Sequence, residues 1–183
     1  MFFDELAEFP REVLEVLRQP LEDKVITISR VAGTIQYPAN FMFVAAMNPC
    51  KCGYYKDREK QCTCSLMDVK KYQSKISGPL LDRIDMTLEI PREKIDLILD
   101  SHKGESSESI GERVIAAWRI QQKRFAGTDI TANAHMTSKD LDEFVPLNDA
   151  CKSFLLQATQ RLTLSPRVVH RIIKLARTIA DIQ

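Results

Sequence analysis

Apolar and polar positions along the chain change period several times, and each change predicts an element. After Pro10, Val13, Leu14 and Leu17 recur at helical spacing, and Pro20 is expected to close that helix. "KVITISRVAGTIQYPA" reads as a β-hairpin, with arms Val25 to Val31 and Thr34 to Tyr37 joined near Ala32-Gly33. Phe41 to Ala46 is an unbroken apolar run, the pattern of a strand covered on both faces, as in a parallel sheet. A helix is predicted around "LMDVKKYQSKI". A strand follows at Met86, Leu88 and Ile90, which alternate with Thr87 and Glu89.

From Pro91 onward only helices are predicted. Ser109 and Glu112 form a capping-box pattern ahead of a helix carrying Ile110, Val114 and Trp118 on one face. "TSKDLDEFV" and "NDACKSFLLQATQRL" each begin with a capping residue and end near Pro146 and Thr163. Ser165-Pro166 opens a last helix whose apolar side is Val168, Val169, Ile172, Ile173, Ala176 and Ile179. The pattern is therefore an α/β segment to about residue 100 followed by an all-helical one. No repeat or low-complexity tract interrupts it.

Bulk composition changes this picture little. The 183 residues are 44% hydrophobic and 28% charged, as in an ordinary globular protein. The 26 basic and 25 acidic residues nearly cancel, so net charge neither requires nor excludes a nucleic-acid partner. No apolar run reaches the roughly 18 residues of a membrane span, and no signal-peptide pattern opens the chain. No membrane partner and a cytoplasmic location are the expectations.

Cysteine placement is more informative. Cys50, Cys52, Cys62 and Cys64 fall within fifteen residues, and Cys151 stands apart on an apolar helix, where a small core residue is expected. Four clustered thiols suit a tetrahedral zinc site closing a polar loop; four reduced thiols in a flexible loop is the alternative.

Other polar groups carry candidate chemistry. Asp4 and Glu5 follow Phe2-Phe3 at the end of an apolar stretch. Such a pair is a solvated turn, or a magnesium and water-activating site. Arg83 in "GPLLDRID", beside Asp82 and Asp85, is a surface ion-pair residue or a phosphate-reaching arginine. Arg167 lies in the first turn of the last helix, where backbone N–H groups favour anions. Arg167, His170, Arg171, Lys174 and Arg177 recur on one face, and Lys174 and Arg177 read as solvated. His102 and His135 read as loop residues.

Taken together, "FFDELAEF", "VITISRVAGTIQYPANFMFVAAMNPCKCGYY", "SGPLLDRID" and "LSPRVVHRIIKLARTIADI" resemble the magnesium-chelatase-like AAA+ ATPases, in particular the ComM-type competence proteins of bacteria. The resemblance runs from end to end. It implies the C-terminal part of an α/β AAA+ core over residues 1–92, a linker over 93–106 and a helical lid over 107–183. Asp4 and Glu5 would be the Walker B acids, with Asp4 holding Mg2+, and Asn48 the sensor 1 residue. Arg83 would be the arginine finger, and Arg167 the sensor 2 residue, with Arg171 the second candidate for that role. The hairpin would be the pre-sensor-1 hairpin, with Arg30 placed to touch DNA. ATP with Mg2+ would be the cofactor and a homo-oligomeric ring, a hexamer, the assembly.

One motif of the family is absent. The chain contains no G-x-x-x-x-G-K-[ST] phosphate-binding loop. Met1 is therefore expected to be an internal start in a longer protein, and the chain alone is expected not to hydrolyse ATP. Three functions stay open at this point: a DNA motor for branch migration in recombination or natural transformation, an ATPase subunit of a chelatase-type metal-insertion complex, and a non-enzymatic helical adaptor with a zinc module.

Overall fold

Backbone pairing begins at the first residues of the chain. In the computed structural model, which describes residues 1–92 and 104–183, β1 (Phe2–Phe3) pairs in parallel with β4 (Val44–Ala45), aligning Phe2 with Val44 and Phe3 with Ala45. The residues fall into two compact units, Met1–Glu93 and Lys94–Gln183. The expected linker at 93–106 lies mostly outside the described residues.

In the first unit, β1 leads through a 3-10 turn (Leu6–Glu8) into α1 (Arg11–Val16) and α2 (Arg18–Asp23). Pro20 does not close the helical segment as expected. It lies in the first turn of α2, where a missing N–H leaves no hydrogen bond broken. The hairpin β2 (Val25–Arg30) and β3 (Gly33–Pro38) then forms with Ile26 opposite Tyr37 and Ile28 opposite Ile35. Its turn is Val31-Ala32, one residue earlier than expected, with Gly33 taking the positive φ of 137°. After β4 come α3 (Leu66–Gln73), started by a Ser65–Asp68 capping box, and α4 (Gly78–Leu81), capped by Ser77.

The core of this unit is Leu6, Leu14, Leu17, Ile76 and Leu80, ringed by Phe3, Phe9, Leu21, Phe43 and Ala45. Phe3 touches Phe9 edge-on at 4.9 Å between ring centroids and Phe43 at 5.5 Å. These contacts seat β1 and β4 on the helices, and so fix where both strands end.

Two strand expectations fail. The run Phe41 to Ala46 contributes only Val44–Ala45, with Met42 and Val44 exposed, since β1 pairs along one edge only. Met86 to Ile90 alternates but forms no strand. Without a ladder partner among the described residues, Met86, Leu88 and Ile90 stay exposed.

In the second unit the described residues form helices and no strand: α5 (Ser107–Arg124), a 3-10 turn (Asn133–His135), α6 (Ser138–Phe144), α7 (Asp149–Leu162) and α8 (Pro166–Ile182). The cap of α5 is Ser106, whose hydroxyl accepts from the Ser109 N–H, so Ser109 lies inside the helix rather than at its start. Cys151 is exposed, because α7 buries none of its residues. Among the described residues, no helix is long and apolar enough to cross a membrane.

This unit joins a small apolar cluster, Phe125, Met136 and Leu141, to a polar hub. Asp181, with a side chain entirely shielded from solvent, accepts from Arg124 at 2.5 and 2.7 Å, from Asn133 Nδ2 at 2.8 Å and from Arg177 at 2.7 and 3.0 Å. Asn133, itself fully buried, also accepts from Arg124 Nη1 at its Oδ1 and donates its backbone N–H to Gln121 Oε1. The expectation that Lys174 and Arg177 line a solvated face is thereby corrected. Arg177 turns to Asp181, and Lys174 reaches the Ala134 carbonyl at 3.3 Å. The buried carboxylate is what draws Arg177 inward.

Burial opposes ionisation of Asp181, but hydrogen bonds from Arg124, Asn133 and Arg177 outweigh it and hold its pKa down at about 2. A depressed pKa contributes stability that is present above the ordinary carboxylate range and lost as pH falls through about 2. Removing one partner of a buried ion pair costs roughly 3–5 kcal/mol. Asp181→Ala is accordingly expected to destabilise this unit by about 3 kcal/mol in urea unfolding at pH 7, and to flatten its stability loss between about pH 4 and pH 2. A change under about 1 kcal/mol would mean that the hub is a solvated cluster.

Candidate functional site

Parallel pairing brings two sequence-distant segments to one edge. The ladder continues past the strands: Val44 N–H donates to the Met1 carbonyl (3.0 Å), Ala46 N–H to Phe3 (2.8 Å) and Leu6 N–H to Ala46 (2.9 Å). Asp4-Glu5 and Asn48 therefore leave the carboxyl ends of adjacent parallel strands, the edge at which open α/β sheets place their ligands. All three residues are exposed. Asp4 Oδ1 accepts the Glu5 N–H at 2.9 Å, and Glu5 takes a left-handed backbone (φ 50°, ψ 46°) that turns the chain sharply into the 3-10 segment. An acid in that conformation is a strained position, of the kind that clusters at functional sites.

Asn48 is continuous with the cysteine loop. Its Oδ1 lies 4.0 Å from where a Cβ on Gly53 would stand, over the turn closed by the Gly53 N–H to Cys50 carbonyl bond. Gly53 carries a φ of 81°. Beyond it, Asp57 Oδ1 accepts from the Glu59 and Lys60 N–H groups, both at 2.8 Å, and Lys60 Nζ sits 4.1 Å from the centre of the Tyr54 ring. The loop is thus locally built, and it folds back to place all four cysteines together.

The Sγ atoms of Cys50, Cys52, Cys62 and Cys64 all lie within 4.8 Å of one another. Cys50–Cys52, Cys52–Cys62 and Cys50–Cys62 are separated by 3.4, 3.5 and 3.7 Å. These are far from a disulfide bond, and all are free thiols. A tetrahedron of thiolates about 2.3 Å from zinc has edges of about 3.8 Å, so the donor set and its spacing fit that ion. Ionisation points the same way. Backbone hydrogen bonds from Tyr54 and Thr63 lower the Cys52 pKa to about 5. At Cys62 the backbone bond from Cys64 pulls down, but desolvation and the sulfurs of Cys52 and Cys50 outweigh it and push the pKa up to about 12. One thiolate here makes the next harder to form, and a cation removes that conflict.

Arg83 makes its contacts on α4 and α2. Its Nη1 donates to the Pro79 carbonyl at 2.6 Å and its Nη2 pairs with Glu22 on α2, leaving the side chain largely buried. Glu22 is thus an observed ion-pair partner of Arg83. A residue 61 positions away leaves no signal in local sequence. Both residues line a cleft of about 460 Å³ with Glu15, Arg18, Gln19 and Asp23.

The hairpin separates its chemistry by face. Thr27, Ser29, Thr34 and Gln36 form a hydrogen-bonded polar face, with Ser29 and Thr34 hydroxyls 3.2 Å apart and Gln36 reaching Thr27. Ile26, Ile28, Ile35 and Tyr37 form the other face, exposed, with Arg30 at its tip on the same side as Ile26 and Ile28. In the second unit Arg167 is exposed and Arg171 half-buried on α8, and His170 Nδ1 lies 3.1 Å from the Ser138 hydroxyl. The sequence reading missed Glu22, Asp181 and Asn133; only the helical spacing of Arg177 and Asp181 hinted at the hub.

Residues 1–98 match the family model "Magnesium chelatase, subunit ChlI", and residues 104–183 match "Magnesium chelatase, subunit ChlI C-terminal". The chain is 42% identical over 184 residues to the competence protein ComM of Haemophilus influenzae, covering all of this chain and 35% of that protein. It is 40% identical over 185 residues to the uncharacterized protein YifB of Salmonella typhimurium, and 39% over 183 residues to YifB of Escherichia coli, again with full coverage here and 35% there. It spans about a third of the length of these relatives. With two adjoining family models across both compact units, and Asp4-Glu5 and Asn48 at one strand edge, the chain belongs to the magnesium chelatase ChlI family of AAA+-like proteins.

Proposed function

We propose that this chain supplies the water-activating and sensing part of an ATP-hydrolysing AAA+ motor that acts on DNA. The observation carrying this reading is the parallel pairing of β1 with β4, which places Asp4-Glu5 and Asn48 on one edge. In this role Asp4 holds Mg2+ through water, Glu5 polarises the attacking water and Asn48 orients it. Catalysis of phosphoryl transfer rests on such positioning and on charge placed around the γ-phosphate.

Arg83 acts as the arginine finger toward a neighbouring subunit of a ring, a hexamer. In that role the guanidinium exchanges its pairing with Glu22 for the phosphate of the neighbouring subunit. Arg167, at the N-terminal turn of α8, serves as the sensor 2 cation, and Arg171, one turn further on, is the second candidate. Arg30 at the hairpin tip touches the DNA backbone, which needs charge rather than shape. The DNA reading draws on the ComM relative, whose name records competence. The family-model description instead favours metal insertion, and stimulation of turnover by DNA separates the two. The four cysteines hold one structural Zn2+.

The zinc assignment predicts about one equivalent of metal per chain in protein purified without chelator. Elemental analysis finding none, with all four thiols titrating freely, would remove it.

For catalysis, the 183-residue chain alone is expected to show no ATPase activity, because it contains no lysine-bearing phosphate loop to grip the β- and γ-phosphates. In a protein joining this chain to such a loop, Glu5→Gln should retain nucleotide binding while lowering turnover by roughly 10²–10⁴-fold. Arg83→Ala should lower it by about 10³-fold or more. Mixed rings of the two variants contain some interfaces with an intact Glu5 facing an intact Arg83, so partial activity should return. If mixed rings form and nothing returns, Arg83 is a structural ion-pair residue.

A further inference from the structure

We propose that the metal held by the four cysteines sets the position of Asn48, making metal occupancy a condition for a correctly placed water-orienting residue. The inference deepens the zinc and sensor readings above and rests on both. Only Pro49 separates Asn48 from Cys50. Proline fixes its own φ, and it confines the preceding residue, here Asn48, to extended backbone. The link from Asn48 to Cys50 is therefore stiff, and Cys50 at its far end is wholly buried. Little of a shift at Cys50 can be absorbed in between.

The structure closes this link into a circuit. β4 runs into Asn48-Pro49-Cys50, and the Cys50 and Cys52 sulfurs meet those of Cys62 and Cys64. Cys64 is followed at once by Ser65, the N-cap of α3, whose hydroxyl accepts the Asp68 N–H at 3.1 Å. At the other end of α3, Gln73 Nε2 donates to the Pro49 carbonyl at 3.0 Å. The helix is anchored to the core through buried Val69 and Tyr72. The meeting of the sulfurs is the weakest join in the circuit: without a metal it rests on thiol contacts of 3.4 to 3.7 Å and on backbone N–H groups such as Thr63, which donates to the Cys52 sulfur. Four thiols within 4.8 Å hold one another only through weak S–H contacts; a metal bonded to all four holds them firmly. Its loss leaves the Pro49 carbonyl with one exposed amide hydrogen bond, and Cys50 with its burial and the Gly53 turn. Gln73 is thus a positioning residue for Asn48, acting through the Pro49 carbonyl.

Hydrogen exchange on the 183-residue chain, with zinc content measured in parallel, tests this. Stripping zinc with a chelator should speed exchange of the Asn48 and Cys50–Gly53 amides on the order of tenfold. Re-adding zinc should reverse it, and the α5 and Val25–Pro38 amides should not change. Gln73→Ala in the zinc-loaded chain should speed exchange at the same amides by a few-fold without releasing metal. If the chain binds no zinc, the metal reading fails and the coupling with it. If zinc binds stoichiometrically but these amides exchange alike with and without it, the metal reading stands and the coupling is wrong. Protection lost equally across the hairpin would make the metal a general staple of the unit, which also overturns the coupling. Unchanged exchange in Gln73→Ala would remove Gln73 from the circuit.

Discussion

Everything placed at the candidate catalytic edge depends on the pairing of β1 with β4. It is short: two residues on each strand, extended by single hydrogen bonds at Met1, Ala46 and Leu6. An isolated two-stranded pair is marginal in water. What holds it is apolar packing behind it, where Phe3 and Phe43 join Phe9 and the Leu14, Leu17 and Leu80 core. The side chains that seat the strands lie one or two positions before the acids and three to five before Asn48. Core packing and site geometry are in this sense one constraint.

The two units solve burial differently. The first buries leucines and phenylalanines from five helical or turn segments beneath two strands. The second has a small apolar cluster and relies on a carboxylate with three polar partners. Hydrocarbon packing tolerates substitutions of similar volume, whereas a buried ion network tolerates almost none of its members being removed. Mutational sensitivity should therefore be spread across the first unit and concentrated at Arg124, Asn133 and Asp181 in the second.

Where the chemistry is local, the sequence was a good guide. Capping residues placed α6, α7 and α8 within a residue or so, and the hairpin was displaced by one position at its turn. The cysteine spacing anticipated the sulfur cluster. Errors arose where a distant partner decides the outcome. Met86 to Ile90 has the alternation of a strand but no neighbour to pair with among the described residues. Cys151 sits on a helix that buries nothing. Arg177 belongs to a charged stripe whose direction is set by Asp181, a residue unremarkable in sequence. Among the candidate site residues, the acids and Asn48 were legible because short motifs mark strand ends. Glu22 was not, since nothing near Arg83 announces it.

The left-handed turn at Glu5 has an evolutionary corollary. Glycine adopts that backbone without strain and asparagine nearly so, whereas a glutamate there is disfavoured by about 1 kcal/mol or more. Selection for folding alone would drift this position toward glycine or asparagine. Persistence of an acid at residue 5 across diverging sequences would thus record selection for something other than stability, and a lineage that had abandoned the chemistry should reveal it first at this residue.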